Sequence, residues 1–317
     1  MGLHSDVAVI TADRFEYGAD IQPDLVGKPR WRRVVARGGL LVRALHSYDI
    51  IHLNFGNSLL PFFVGGRVFD ELPLLKRAGK TILVTFQGCD VRPVECCFCK
   101  REDCRAERAR RAPNAAHLLR YADRSFHLNP DLGRWLPGSR FLPYASIDPF
   151  ALEVPAPPPR RDELVVAHAP TDRDVKGTAH VLAAVEQLRS EGVPIRLDLI
   201  EGLPRRELLE RLPQADVVVD QLLLGWYGGF AVEAMSLARP VLCFIREDRP
   251  EDNPFGAELP IVRVTPESLA ARLRELAADR ERPLRIGAAS REFVERHHAP
   301  LTVARDVLAG LVELPAA

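Results

Sequence analysis

The segment Asp220-Gln221-Leu222-Leu223-Leu224-Gly225-Trp226-Tyr227-Gly228-Gly229-Phe230-Ala231-Val232-Glu233 concentrates residue types suited to holding a phosphorylated nucleoside. An apolar run ends at Gln221, a glycine-rich loop follows, and a short helix is expected from about Gly229. Glycines let a ligand approach the backbone closely. The unfilled N–H groups of a helix's first turn, with its dipole, suit a phosphate. Each such charge–dipole contact is worth roughly 0.3–1 kcal/mol at an exposed site. Glu233 falls one turn inside that helix, where its carboxylate can accept hydrogen bonds from a pair of ribose hydroxyls. The same pattern also fits a structural turn with Glu233 as a solvated first-turn acid.

A second segment, His168-Ala169-Pro170-Thr171-Asp172-Arg173-Asp174-Val175-Lys176-Gly177, follows an apolar run and precedes another expected helix. A lysine at a helix start opposes the dipole, and an anion bound there would justify it. Arg173 supplies a candidate second cation. The alternative is a surface turn with solvated charges.

These loops need strands and helices behind them. Short apolar runs alternate with amphipathic stretches along the chain, the pattern of βα units on a mostly parallel sheet. Strands are expected at 6–11, 49–55, 81–88, 124–129 and 141–145, with helices at 31–48, 67–78 and 104–121. The proline-rich run Val154–Arg161 cannot continue a helix or a central strand and reads as a linker spanning 154–163. Beyond it, strands are expected at 164–169, 196–201, 216–221, 240–245 and 261–265. Helices are expected there at 177–191, 204–212, 230–238 and 266–278, then two more over 284–314 broken near Pro300. The division is therefore an N-terminal domain over 1–153, a second domain over 164–283, and C-terminal helices over 284–317. The fold class is α/β, two Rossmann-like domains facing a cleft, with ligands outside the carboxyl ends of the strands.

The 317 residues suit two domains. Acids and bases balance at 43 each, so no long-range field favours nucleic acid. The basic run Lys100, Arg101, Arg105, Arg108, Arg110 and Arg111 has interspersed acids and reads as a solvated helix face. No membrane span and no signal peptide are apparent, so a cytoplasmic protein is expected, with peripheral membrane contact left open. Five of the six cysteines fall between Cys89 and Cys104. Cys96, Cys97, Cys99 and Cys104, four thiols within nine residues, match a small structural zinc loop in a Cys-rich insert at 89–104; free or redox thiols are the alternative.

The string Phe230-Ala231-Val232-Glu233-Ala234-Met235, followed by Ala238-Arg239-Pro240-Val241, resembles the donor-site signature of the family 4 retaining glycosyltransferases. The resemblance covers most of 45–300 and implies a GT-B fold. It implies that Glu233 binds the ribose of a nucleotide-diphospho-sugar and that Gly228, Gly229 and Phe230 hold the diphosphate. It also implies that Lys176, with Gly177, Thr171 and His168 around it, lines the same site. The family's second glutamate, eight positions earlier, is Gly225 here. Either the sugar contact comes from elsewhere, with Trp226 or Tyr227 the candidates, or the donor differs. Phe86-Gln87-Gly88-Cys89-Asp90 resembles the family loop that carries a histidine before a glycine. Gln87, Asp90 and His52 become acceptor-side candidates, with a hydrogen-bonded strand-end histidine the equal alternative for His52, while Asn129 and Asp131 are expected to cap the next helix. Family members open with a further βα unit, so the resemblance implies that Met1–Ser5 end that unit's helix.

The resulting expectation is transfer of a sugar from a nucleotide-diphospho-sugar to an acceptor hydroxyl, with retention. Lys176 and Arg173 would stabilise the leaving diphosphate. The donor and an unidentified acceptor are the partners; oligomeric state is undetermined. The alternatives are a non-catalytic nucleotide-sugar-binding or interaction protein of the same fold, and a nucleotide-sugar epimerase.

Overall fold

The computed structural model describes residues 2–9, 18–23, 25–60, 62–64, 67–69, 71–93, 114–159 and 161–313. The chain divides into two compact units, Gly2–Leu142 and Pro143–Ala317.

In the first unit, β1 (Ile50–Asn54), β4 (Thr81–Phe86), β5 (Arg124–His127) and β6 (Arg140–Phe141) form one parallel sheet in that order. Alternation puts Ile51 and Leu53 inward. Nearly all of β4 is buried, as a central parallel strand must be. Helices α1 (Arg30–Ser47), α2 (Leu72–Arg77) and α3 (residues 114–121) accompany the sheet. The core gathers Leu72, Leu75, Ile82, Val84, Phe86, Leu118 and Leu132.

Two expectations change here. The helix expected over 67–78 is shorter: β2 (Phe62–Val64) and β3 (Arg67–Phe69) form an antiparallel pair, and α2 starts at Leu72. Pro73 fits only the first turn of a helix, which fixes that start. The strand expected over 6–11 is represented, among the described residues, by a single bridge between Ala8 and Ile21.

The second unit holds a five-stranded parallel sheet in the order β11 (Val262–Arg263), β10 (Val241–Cys243), β9 (Val217–Val219), β7 (Leu164–His168), β8 (Ile195–Leu199). The chain leaves β7 toward β8 on one side and returns to β9 on the other. The carboxyl ends of β7 and β9 therefore flank a topological switch point, where doubly wound sheets bind ligands. The helices are α4 (Arg173–Lys176), α5 (Thr178–Ser190), α6 (Arg205–Arg211), α7 (Gly229–Ser236), α8 (Leu269–Ala278), α9 (Glu281–His297) and α10 (Pro300–Leu308). Valines of β7 and β9 pack with Val181, Val185, Leu188, Leu269 and Leu273.

The first unit ends at Leu142 rather than at 153. Residues 144–161 are tied to the second unit by long side chains. Arg291 Nη2 donates to Pro149 O (2.6 Å), Arg239 Nη2 to Ala156 O (3.1 Å), and Arg161 Nη1 to Gln214 O (2.9 Å). His298 Nδ1 lies 2.6 Å from Tyr144 O. No helix among the described residues is long and apolar enough to cross a membrane.

Candidate nucleotide-binding site

The loops after β7 and β9 meet through one lysine. Asp172 caps α4 by accepting from the amides of Asp174 and Val175 (both 3.1 Å). The short helix ends at Gly177, whose φ of +76° is left-handed. A side chain there would also press on Leu222 Cβ at 3.1 Å. This tight turn sends Lys176 across the sheet end. Its Nζ donates to Asp220 Oδ1 and to Gln221 Oε1, both at 2.7 Å. Asp220 Oδ2 accepts from Gly228 N at 2.8 Å. Asp220 is 1% exposed, so its charge is balanced almost entirely by Lys176 and that amide.

Gly228 precedes α7 and makes no side-chain cap. A Cβ on Gly228 would stand 3.5 Å from Lys176 Nζ, and one on Gly229 would stand 3.4 Å from Ser146 Oγ. With no side chain at either glycine, the helix start is bordered by the Lys176 ammonium, the Asp220 carboxylate, the Gln221 amide oxygen and the Ser146 hydroxyl. The buried Ser146 Oγ has no hydrogen-bond partner within the protein. The first-turn amides of Gly229 and Phe230 are the donors any helix start leaves unfilled.

One turn into α7, Glu233 is 3% exposed. Burial raises its pKa above the ordinary carboxylate value, and Arg205 opposes that rise. Arg205 Nε donates to Glu233 Oε1 at 2.6 Å, and Nη2 donates to Ser146 O at 3.0 Å.

The structure therefore brings together Lys176, Gly177, Gly228, Gly229 and Phe230, with Glu233 further along the same helix. It gives several other expected residues different work. His168 is buried, with Nδ1 2.8 Å from Val219 O and Nε2 2.9 Å from Thr178 Oγ1. Both nitrogens are committed to joining β7, β9 and α5, and burial lowers the ring's pKa. Arg173 turns outward to Glu201, with Nε–Oε1 at 2.7 Å, instead of joining Lys176. Thr171 is exposed on the intervening loop. Trp226 and Tyr227 sit beneath the loop in an aromatic cluster with Phe255, Phe293, His297 and His298. Tyr227 Oη lies 3.0 Å from His298 Nε2, so its polar end is already used. Both rings are packed within the second unit, beside the Gly225 that stands where the resembled family has its second glutamate. Gly225 itself has φ +77°, and a side chain there would run into the Arg246 methylenes.

On the first unit, His52 is exposed on β1 with Nε2 2.7 Å from Thr85 Oγ1. Asp90 is buried, and its carboxylate accepts from the amides of Gln87 (3.1 Å) and Gly88 (2.7 Å). It shapes the loop after β4. Asn129 and Asp131 do not cap: Asn129 Nδ2 donates to Gln87 O, and Asp131 forms a bidentate pair with Arg92 at 2.8 Å. Cys96, Cys97, Cys99 and Cys104 lie outside the described residues. Among the described residues no cluster of His, Cys, Asp and Glu could hold a metal ion.

Sequence reasoning gave Asp220 and Gln221 no individual role, and it missed Ser146 and Arg205. Asp220 and Gln221 carried a faint signal, two polar residues closing an all-apolar strand. Arg205 and Ser146 lie far from Glu233 in sequence and carried none.

No protein-family model matches the chain, and no curated protein sequence does. Solved structures do match. Sucrose-phosphate synthase from Thermosynechococcus elongatus is 18% identical over 89% of this chain and 79% of its own, with a TM-score of 0.58. The Anabaena protein HepE, in complex with UDP-glucose, is 14% identical over 90% of this chain and 84% of its own, at a TM-score of 0.60. An alpha-glucosyltransferase in complex with UDP and a DNA 13-mer is 12% identical over 86% and 82%, at 0.55. The chain thus shares the two-unit α/β GT-B fold of these proteins.

Proposed function

We propose that the chain binds a nucleoside-diphospho-sugar on its second unit and transfers the glycosyl group to an acceptor hydroxyl, with retention. The observation that carries this reading is the meeting of Lys176 with the start of α7 at Gly228 and Gly229, and a buried Glu233 on that helix. The similarity to a UDP-glucose-bound protein and a UDP-bound glucosyltransferase supports a uridine donor. In this reading the diphosphate lies across the amides of Gly229 and Phe230 beside the Lys176 ammonium, and the ribose hydroxyls donate to Glu233. Negative charge developing on the departing diphosphate meets groups already in place, which is where preorganised electrostatics accelerates a reaction. Arg173 is left out of the catalytic set because it is engaged by Glu201. His52 and Gln87 remain the acceptor-side candidates of the first unit.

The experiment is nucleotide release from UDP-glucose, with GDP- and ADP-sugars in parallel. Release of free nucleoside diphosphate that is lost in Glu233→Gln supports the assignment. Tight donor binding with no release favours the second reading, a nucleotide-sugar-binding protein without catalysis. That reading draws on Gly225, whose backbone and Arg246 neighbour leave no room for the family glutamate.

The four clustered thiols are proposed to hold structural zinc. Protein made under reducing conditions with zinc supplied should then carry about one equivalent, as closed tetrahedral sites do. Metal analysis finding none would end that proposal.

A further inference from the structure

Glu233 is held by a residue that no local pattern marks. Arg205 stands at the start of α6, the helix that follows β8, and makes two directed hydrogen bonds, one to Glu233 on α7 and one to the backbone of Ser146. Its Nε fixes Glu233 Oε1 at 2.6 Å. Its Nη2 fixes the carbonyl of Ser146 at 3.0 Å. The Arg205 side chain is largely covered, at 19% exposed, against 4% for that of Glu233. A planar fork can set the direction of a carboxylate in a way a flexible ammonium cannot. The bridge also holds Ser146, whose orphan Oγ faces the position beside Gly229. A buried hydroxyl without a partner is expensive unless something completes it, and a ligand oxygen at the start of α7 would do so.

We propose that Arg205 is a positioning residue for nucleoside recognition, locking Glu233 so that its remaining lone pairs face the ribose hydroxyls and holding Ser146 at the start of α7. The proposal rests on the nucleotide-binding reading above. It makes β8–α6 the third connection of the sheet to contribute to the site, after β7–α4 and β9–α7. Arg205 is not required to touch the ligand. Its effect passes through Glu233 and is therefore specific to ligands with ribose hydroxyls.

The test is calorimetric titration of the full chain with UDP, with 2′,3′-dideoxy-UDP and with inorganic pyrophosphate. Arg205→Gln and Arg205→Lys are compared with the unaltered chain, and folding is monitored by thermal unfolding. Arg205→Gln should weaken UDP by about tenfold or more, the scale of one charged hydrogen bond. It should leave pyrophosphate nearly unchanged and abolish the preference for UDP over its dideoxy analogue. Arg205→Lys restores the cation without the fork and should recover part of that preference. Equal weakening of all three ligands, or a ribose preference that survives in Arg205→Gln, would overturn the proposal. Binding of neither UDP, GDP nor ADP to the unaltered chain would instead remove the nucleotide-binding reading on which it stands.

Discussion

At the scale of single residues, the site is built from charges already paired within the protein, and this changes how mutations should be read. Removing Lys176 leaves Asp220 a buried, uncompensated carboxylate. Breaking a buried pair from one side typically costs about 3–5 kcal/mol. Lys176→Ala should therefore lower unfolding free energy on that scale in urea denaturation, apart from any loss of ligand. Adding Asp220→Asn should return a large part of it. If Lys176→Ala unfolds like the unaltered chain, the pairing does not carry the charge balance described. Glu233 presents the opposite case. Its folded pKa lies above its unfolded value because burial outweighs Arg205, and Asp220 adds a like charge. A group raised in this way favours the fold below its unfolded pKa, and that contribution is lost as pH rises through the folded value. Ionised Glu233 thus costs stability at neutral pH, as functional groups often do. Glu233→Gln should raise Tm at pH 7–8 while losing ribose discrimination, and the gain should shrink toward pH 4. A lower Tm at neutral pH would mean that the Arg205 pair outweighs burial.

At the scale of elements, close approaches fix the loops. Gly287 of α9 packs where a Cβ would overlap the carbonyl oxygen of Ala238, just beyond α7. Gly287→Ala should push the two helices apart and destabilise the fold by roughly 1–3 kcal/mol, the usual cost of overpacking. Thermal unfolding checks this, and a neutral change would mean that α9 adjusts freely. Gly225→Glu, which introduces the glutamate that the resembled family carries there, should lower Tm rather than improve transfer, because φ is +77° and the Arg246 side chain fills the space. A well-folded, more active Gly225→Glu protein would refute that steric account. The elements themselves were largely readable. The valine-rich runs at β7 and β9 are buried on both faces and cannot be mistaken for loops. The helix expected from Arg67 was misjudged because a short apolar run has no decisive period. Its start was decided by Pro73.

At the scale of the whole molecule, the α/β class and the two-part division followed from the repeated strand–helix rhythm. The boundary did not. Val154–Arg161 has linker composition, yet Arg291, Arg239 and His298 tie residues 144–156 to the second unit. Contacts between residues separated by more than 80 positions leave no local trace in composition. The same limit governs the site. Glu233 and the glycines were legible because one loop–helix junction contains them, whereas Asp220 depends on Lys176 from another loop, and Arg205 on a third. His168 and Tyr227, expected at the ligand from their residue types, are buried with their polar atoms hydrogen-bonded within the protein, which composition does not signal.

The central claim is that the second unit holds a nucleoside diphosphate between Lys176, the start of α7 and Glu233. The most direct measurement is a crystal structure of the chain grown with the tightest-binding of UDP, GDP and ADP. The account predicts phosphate oxygens at hydrogen-bond distance from the amides of Gly229 and Phe230 and from Lys176 Nζ, with both ribose hydroxyls on Glu233. A nucleotide bound elsewhere, or one whose ribose avoids Glu233 while the Arg205–Glu233 pair persists unchanged, would contradict it.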